Sequence, residues 1–145
     1  MIGLLVSGHG NFATGLATSL KLLAGEQANT VFVDFDGQSG DDLKVKIGET
    51  LDTMKDYDGI LILTDLPGGT PYNKSVELKL ERPDQAIEIM AGTNLPLLLS
   101  CSTMAAMFEA PMDLAQAMLP EAKDSLVVFE LEAGEEESDD FDDFI

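Results

Sequence analysis

Short runs of β-branched and leucine residues alternate with amphipathic segments along this chain, and that alternation constrains the fold more than any other feature. Strands separated by helical patterns make βαβ units, whose crossovers cover both faces of a mostly parallel sheet. The first strand is expected from Ile2 to Ser7, followed by a helix with Phe12, Leu16, Leu20 and Leu23 on one face and Gly25 at its end. The second strand spans Thr30 to Phe35. After the loop from Asp36 to Gly40, Asp41 and Asp42 favour a helix start, and Leu43, Ile47, Leu51 and Met54 form its buried stripe. The third strand, Gly59 to Thr64, runs into Asp65-Leu66-Pro67-Gly68-Gly69-Thr70-Pro71, where Thr70 is placed to cap a helix that has Pro71 at its first position. That helix carries Val76 and Leu80 and ends before Pro83. The fourth strand, Ala86 to Met90, leads to an apolar helix over about Leu97 to Met107. A further helix covers Met112 to Asp124, broken or kinked by Pro120. Leu126 to Leu131 reads as a last strand with no helix after it, at a sheet edge or paired with another subunit.

At 145 residues the chain is the size of one domain with one core. Residues 1–132 are assigned to it, and 133–145 to an acidic tail that cannot pack and is expected to be disordered. A sharper reading of the tail, with Phe141, Phe144 and Ile145 set among acids, is a docking segment for a basic partner. The formal net charge of −19 argues against nucleic acid and anionic membranes, which bind through Lys and Arg. The single cysteine, Cys101, excludes an intramolecular disulfide and a cysteine zinc cluster, and its apolar setting reads as a small buried side chain. With no leader-like N-terminus and no membrane-length apolar run, a cytoplasmic protein is expected.

Open α/β sheets bind ligands at the carboxyl ends of their strands, where the strand order reverses. In the order 2-1-3-4 the first and third strands are neighbours at that point, and their loops begin with His9 and Asp65. A carboxylate that accepts from one imidazole nitrogen fixes the tautomer and leaves the other nitrogen as a nucleophile. Gly68, Gly69 and the helix start at Thr70 offer N–H donors and a positive dipole end to an anion, and the Thr70 hydroxyl is a further donor. A chain this acidic needs such local donors if it is to hold phosphate. A rival reading takes Gly8-His9-Gly10-Asn11-Phe12-Ala13 as a dinucleotide fingerprint with Asp34 or Asp36 as ribose acid, but it gives His9 and the second glycine loop no task. No zinc site can be built from one histidine and one cysteine, and no Gly-x-Ser-x-Gly elbow occurs.

The stretches Ile-Gly-Leu-Leu-Val-Ser-Gly-His-Gly, Leu-Leu-Ala-Gly-Glu-Gln, Leu-Thr-Asp-Leu-Pro-Gly-Gly-Thr-Pro-Tyr-Asn and Met-Ala-Gly-Thr-Asn-Leu-Pro-Leu occur in that order over about residues 1–100. Together they resemble the IIA component of mannose-family sugar phosphotransferase systems (PTS). The resemblance implies a cytosolic phosphocarrier that takes a phosphoryl group from the histidine-containing phosphocarrier protein HPr and passes it to a IIB component. IIB then serves the membrane components IIC and IID. It makes His9 the phosphoryl acceptor, Asp65 its partner, and Thr70 a contact of the phosphoryl group, with no cofactor and no metal. It also implies a fold: α/β, a doubly wound and mainly parallel sheet of order 2-1-3-4, with a C-terminal antiparallel edge strand exchanged in a homodimer. The segment Ala117-Met118-Leu119-Pro120-Glu121-Ala122 departs from the glycine-containing helix usual before that strand. IIB is expected on a separate chain, and the motifs lean toward mannose or amino-sugar systems, with N-acetylgalactosamine the specific expectation. The phosphocarrier subunit of a phosphoenolpyruvate-dependent dihydroxyacetone kinase and a small dinucleotide-binding module are the alternatives.

Overall fold

A computed structural model describes residues 1–131. Its strands are β1 (Ile2–His9), β2 (Thr30–Phe35), β3 (Gly59–Thr64) and β4 (Ile87–Met90), all parallel in the order β2-β1-β3-β4. β1 and β3 are central and covered on both faces, which is why they read as unbroken apolar runs rather than alternating ones. The crossovers are α1 (Phe12–Ala24), α2 (Gly40–Asp52), α3 (Thr70–Glu81) and, after β4, α4 (Leu95–Met104), a 3-10 turn at Ala105–Met107 and α5 (Pro111–Asp124). On one face Ile2, Leu4, Val6, Leu61 and Leu63 pack with Leu20, Leu97, Leu98 and Leu114 of α1, α4 and α5. On the other, Leu5, Ile60 and Ile62 pack with Leu43, Ile47, Leu51 and Leu78 of α2 and α3. The sheet is therefore doubly wound, and the β1/β3 pair at its centre is the switch point.

Local chemistry sets the helix ends. Ser39 accepts from the Asp42 N–H at 3.2 Å to cap α2, and Asn94 accepts from the Leu97 N–H at 2.9 Å to cap α4. The Asn94 amide also donates to the Ala122 carbonyl and the Ser125 hydroxyl, so the start of α4 and the end of α5 are tied at the carboxyl end of the sheet.

Four elements differ from the sequence reading in more than the trimming of an end. β1 continues two residues past Ser7, because Gly8 and His9 keep register with Asp34 and Phe35. α3 is capped by the extended backbone of Gly69, so Thr70 is its first helical residue and not its cap. Its buried stripe is Pro71, Ser75 and Leu78, a half turn away from Leu80, which is 73% exposed. α5 runs unbroken through Pro120, since Leu114, Ala115, Met118 and Ala122 bury on either side of it while the proline faces solvent. Leu126 to Leu131, expected as a strand, is not part of the four-stranded sheet and is exposed. A strand needs a ladder to join, and the exchange expected of this segment involves a second copy of the chain. The acidic tail lies outside the described residues. Among those described, no helix is long and apolar enough to cross a membrane.

Candidate functional site

The last residue of β1 carries the only imidazole. Gly10 then turns the chain with φ +58° and donates its N–H to the Phe35 carbonyl at 2.7 Å, which folds the β1–α1 loop over the end of β2. The His9 ring is left 44% exposed and meets the Phe35 ring in an edge-to-face pair, 5.5 Å between centroids and 69° between planes.

Asp65 follows the last residue of β3 and reaches across to His9. Its Oδ2 accepts the His9 backbone N–H at 2.9 Å and meets Nδ1 at 2.7 Å, while Oδ1 accepts the Leu66 N–H at 2.9 Å. The Asp65 carbonyl is itself held by the Gly92 N–H at 3.0 Å, a role for the loop after β4. Burial acts to raise the Asp65 pKa, but hydrogen bonds from the His9 backbone and ring, the His9 charge and the Leu66 N–H outweigh it and hold the carboxyl below its ordinary value. An ionised carboxylate only accepts, so Nδ1 carries a proton toward it, and in the neutral imidazole that tautomer leaves the lone pair on Nε2.

The glycine loop closes the other side of the ring. A Cβ added to Gly69 would lie 3.1 Å from His9 Cε1 and 3.3 Å from the Leu66 carbonyl, so a methyl group there would crowd the ring. Gly68 turns with φ +77°. The Gly69 N–H, expected as an anion donor, is already bonded to the Leu66 carbonyl at 3.1 Å. Among the described residues the N–H groups of Gly68 and Thr70 and the Thr70 hydroxyl have no hydrogen-bond acceptor, which leaves them as the loop's free donors. Thr70 sits at the start of α3 beside that of α2, its Cγ2 3.1 Å from where a Gly40 Cβ would be. Among the described residues no cluster of three or more His, Cys, Asp or Glu is arranged to hold a metal ion.

Of the two acids that the dinucleotide reading offers, Asp34 is taken up in holding α1. Both oxygens of Asp34 are engaged by Thr14, from its N–H at 3.0 Å and its hydroxyl at 2.7 Å, and Asp36 Oδ1 accepts the Gln38 N–H. Gly8 serves packing instead, since a Cβ there would fall 2.4 Å from the Phe12 ring. Sequence reasoning missed Phe35, the Asp34–Thr14 tie and Asn73, whose side chain holds the Gly68 carbonyl at 2.9 Å. Cys101 is fully buried, and that burial pushes its thiol up to about 12.

An oriented, half-open imidazole beside anion donors is suited to taking up an anionic electrophile on Nε2. Comparison with known proteins places the chain in a family. The fructose-specific EIIA component of Bacillus subtilis (strain 168) is 37% identical over 100 residues, covering 68% of this chain and 67% of that protein. The mannose-specific EIIAB component of Escherichia coli (strain K12) is 31% identical over 98 residues, covering 67% of this chain but 30% of that longer protein. The crystal structure of phosphotransferase system component EIIA from Streptococcus agalactiae superposes with a TM-score of 0.82 at 36% identity, over 88% of this chain and 97% of that one. The EIIA-man family model, described as PTS system fructose IIA component, matches residues 3–129. The chain therefore belongs to the EIIA-man family, the IIA domains of fructose- and mannose-type phosphotransferase systems.

Proposed function

We propose that this EIIA is a cytoplasmic phosphocarrier that accepts a phosphoryl group from phospho-HPr on His9 Nε2 and delivers it to a IIB component, which serves sugar uptake through membrane components IIC and IID. The 2.7 Å contact of Asp65 Oδ2 with His9 Nδ1 carries the reading, because it leaves Nε2 as the free nucleophile. Nε2 attacks phosphorus in line as the phosphorus–nitrogen bond of the donor histidine breaks, and that bond's electron pair returns to the donor imidazole. Asp65 balances the positive charge that develops on His9. The N–H groups of Gly68 and Thr70 and the Thr70 hydroxyl face the equatorial oxygens, while Gly69 gives the ring room. In a loose transition state such positioning and charge stabilisation supply most of the rate.

The same reading makes the protein a homodimer, with Leu126 to Leu131 as the strand shared between copies. Fructose, mannose and sorbose occur in the names of related proteins, so membership does not fix the sugar. Growth of a deletion strain on N-acetylgalactosamine against those three reads it.

Intact mass after incubation with phosphoenolpyruvate, enzyme I and HPr, read at alkaline pH where phosphohistidine survives, tests the carrier. Wild type is expected to gain one phosphoryl group and His9→Ala none. No gain in wild type, or an equal gain in both, overturns the assignment.

A further inference from the structure

Both carbonyls of the glycine pair beside His9 are held by one residue. The Asn73 Nδ2 donates to the Gly68 carbonyl at 2.9 Å, and the Asn73 backbone N–H donates to the Gly69 carbonyl at 2.8 Å. The backbone bond is the ordinary first turn of α3, whereas the side-chain bond reaches back five residues to a position outside the helix. Only the NH2 end of the amide can meet a carbonyl, so the partner fixes which way Asn73 points.

The held peptide matters because of where it lies. Gly69 is the residue against His9 Cε1, and neither glycine has a side chain of its own to hold the Gly68–Gly69 plane. Glycines visit both halves of φ space with little cost, so such a plane turns easily unless it is latched. Here it is latched at both ends, at the Gly68 oxygen by Asn73 and at the Gly69 N–H by the Leu66 carbonyl. A trans peptide sets C=O and N–H on opposite sides. With the Gly69 carbonyl directed into α3, the Thr70 N–H is directed out of the helix start. Release of the Gly68 carbonyl would leave an unheld acceptor oxygen beside a site for an anion, and would loosen the donors that follow it.

We propose that Asn73 is a positioning residue of the phosphoryl-transfer site: its side-chain amide, through Gly68, sets the glycine-loop donors before the phosphoryl group arrives. The inference rests on the phosphocarrier reading. Preset donors lower a barrier because they need no reorganisation during the reaction.

Asn73 is exposed and alanine favours a helix, so Asn73→Ala keeps the fold. The experiment measures phosphoryl uptake from phospho-HPr at varied donor concentration for wild type and Asn73→Ala, with urea unfolding of both. A fall in kcat of about tenfold or more, with KM within about threefold and an unchanged urea midpoint, is expected. Uptake within about twofold of wild type overturns the inference, and so does a loss confined to KM, which would mark Asn73 as a donor-docking residue. A loss matched by a lower urea midpoint overturns it too. No uptake by wild type overturns the carrier reading, and this inference with it, whereas equal uptake by both proteins overturns this inference alone.

Discussion

Gly69 and Asp65 bound the His9 ring on two sides, and each makes its own prediction. Gly69 has φ −73° and ψ 167°, a conformation open to any residue, so Gly69→Ala is expected to cost less than about 1 kcal/mol of stability. Its new methyl would press on His9 Cε1, however, and uptake is expected to fall about tenfold, since a misplacement of about 1 Å costs on the order of a hundredfold and this contact displaces the ring by less. Uptake kinetics beside urea unfolding separate the two effects. Asp65 has a folded pKa below its unfolded value of about 3.9. Between the two values the unfolded chain binds more protons, so stability rises with pH through that window. The contribution is full above the unfolded value and is lost as pH falls through the folded one. Asp65→Asn is expected to flatten the acid limb of stability below about pH 4, read by urea unfolding across pH 2.5–6. His9 and Asp65 were legible because each ends or follows a strand at the switch point. Asn73 and the Asp34–Thr14 tie were not, because single side-chain bonds between separate elements leave no periodic trace.

At the scale of elements, strands carried the clearest signal: β2 and β3 have the bounds that their apolar runs imply. α3 shows why the rest was harder. Its inward face includes Ser75, which is buried because its hydroxyl bonds the Pro71 carbonyl at 2.7 Å, while the more apolar Leu80 faces out. α5 shows tertiary packing overriding a local rule, since residues buried before and after Pro120 hold the helix through a proline that cannot donate to the Gln116 carbonyl. Pro120→Ala restores that donor on the solvent side. It is expected to stabilise the protein by about 1–3 kcal/mol, seen as a higher urea midpoint with unchanged slope.

Across the whole molecule, α5 ends at the carboxyl edge of the sheet, tied there by Asn94, and the apolar segment from Leu126 leaves from that edge. Pairing of that run with a second copy was expected from the sequence. Light scattering at micromolar concentration is expected to give a dimer for wild type and a monomer when Val127→Glu and Val128→Glu are combined, and a monomeric wild type removes the homodimer. The sheet also settles a matter of entropy. One oxygen of Asp65 grips His9 at both its main chain and its ring, and the two residues stand at the ends of hydrogen-bonded neighbouring strands. The imidazole thus has little rotamer freedom left to surrender when a partner protein arrives. Ordering a free side chain at an interface costs about 0.5–1.5 kcal/mol, a several-fold factor in rate. That cost is met once, when the chain folds, and is not charged again at each turnover.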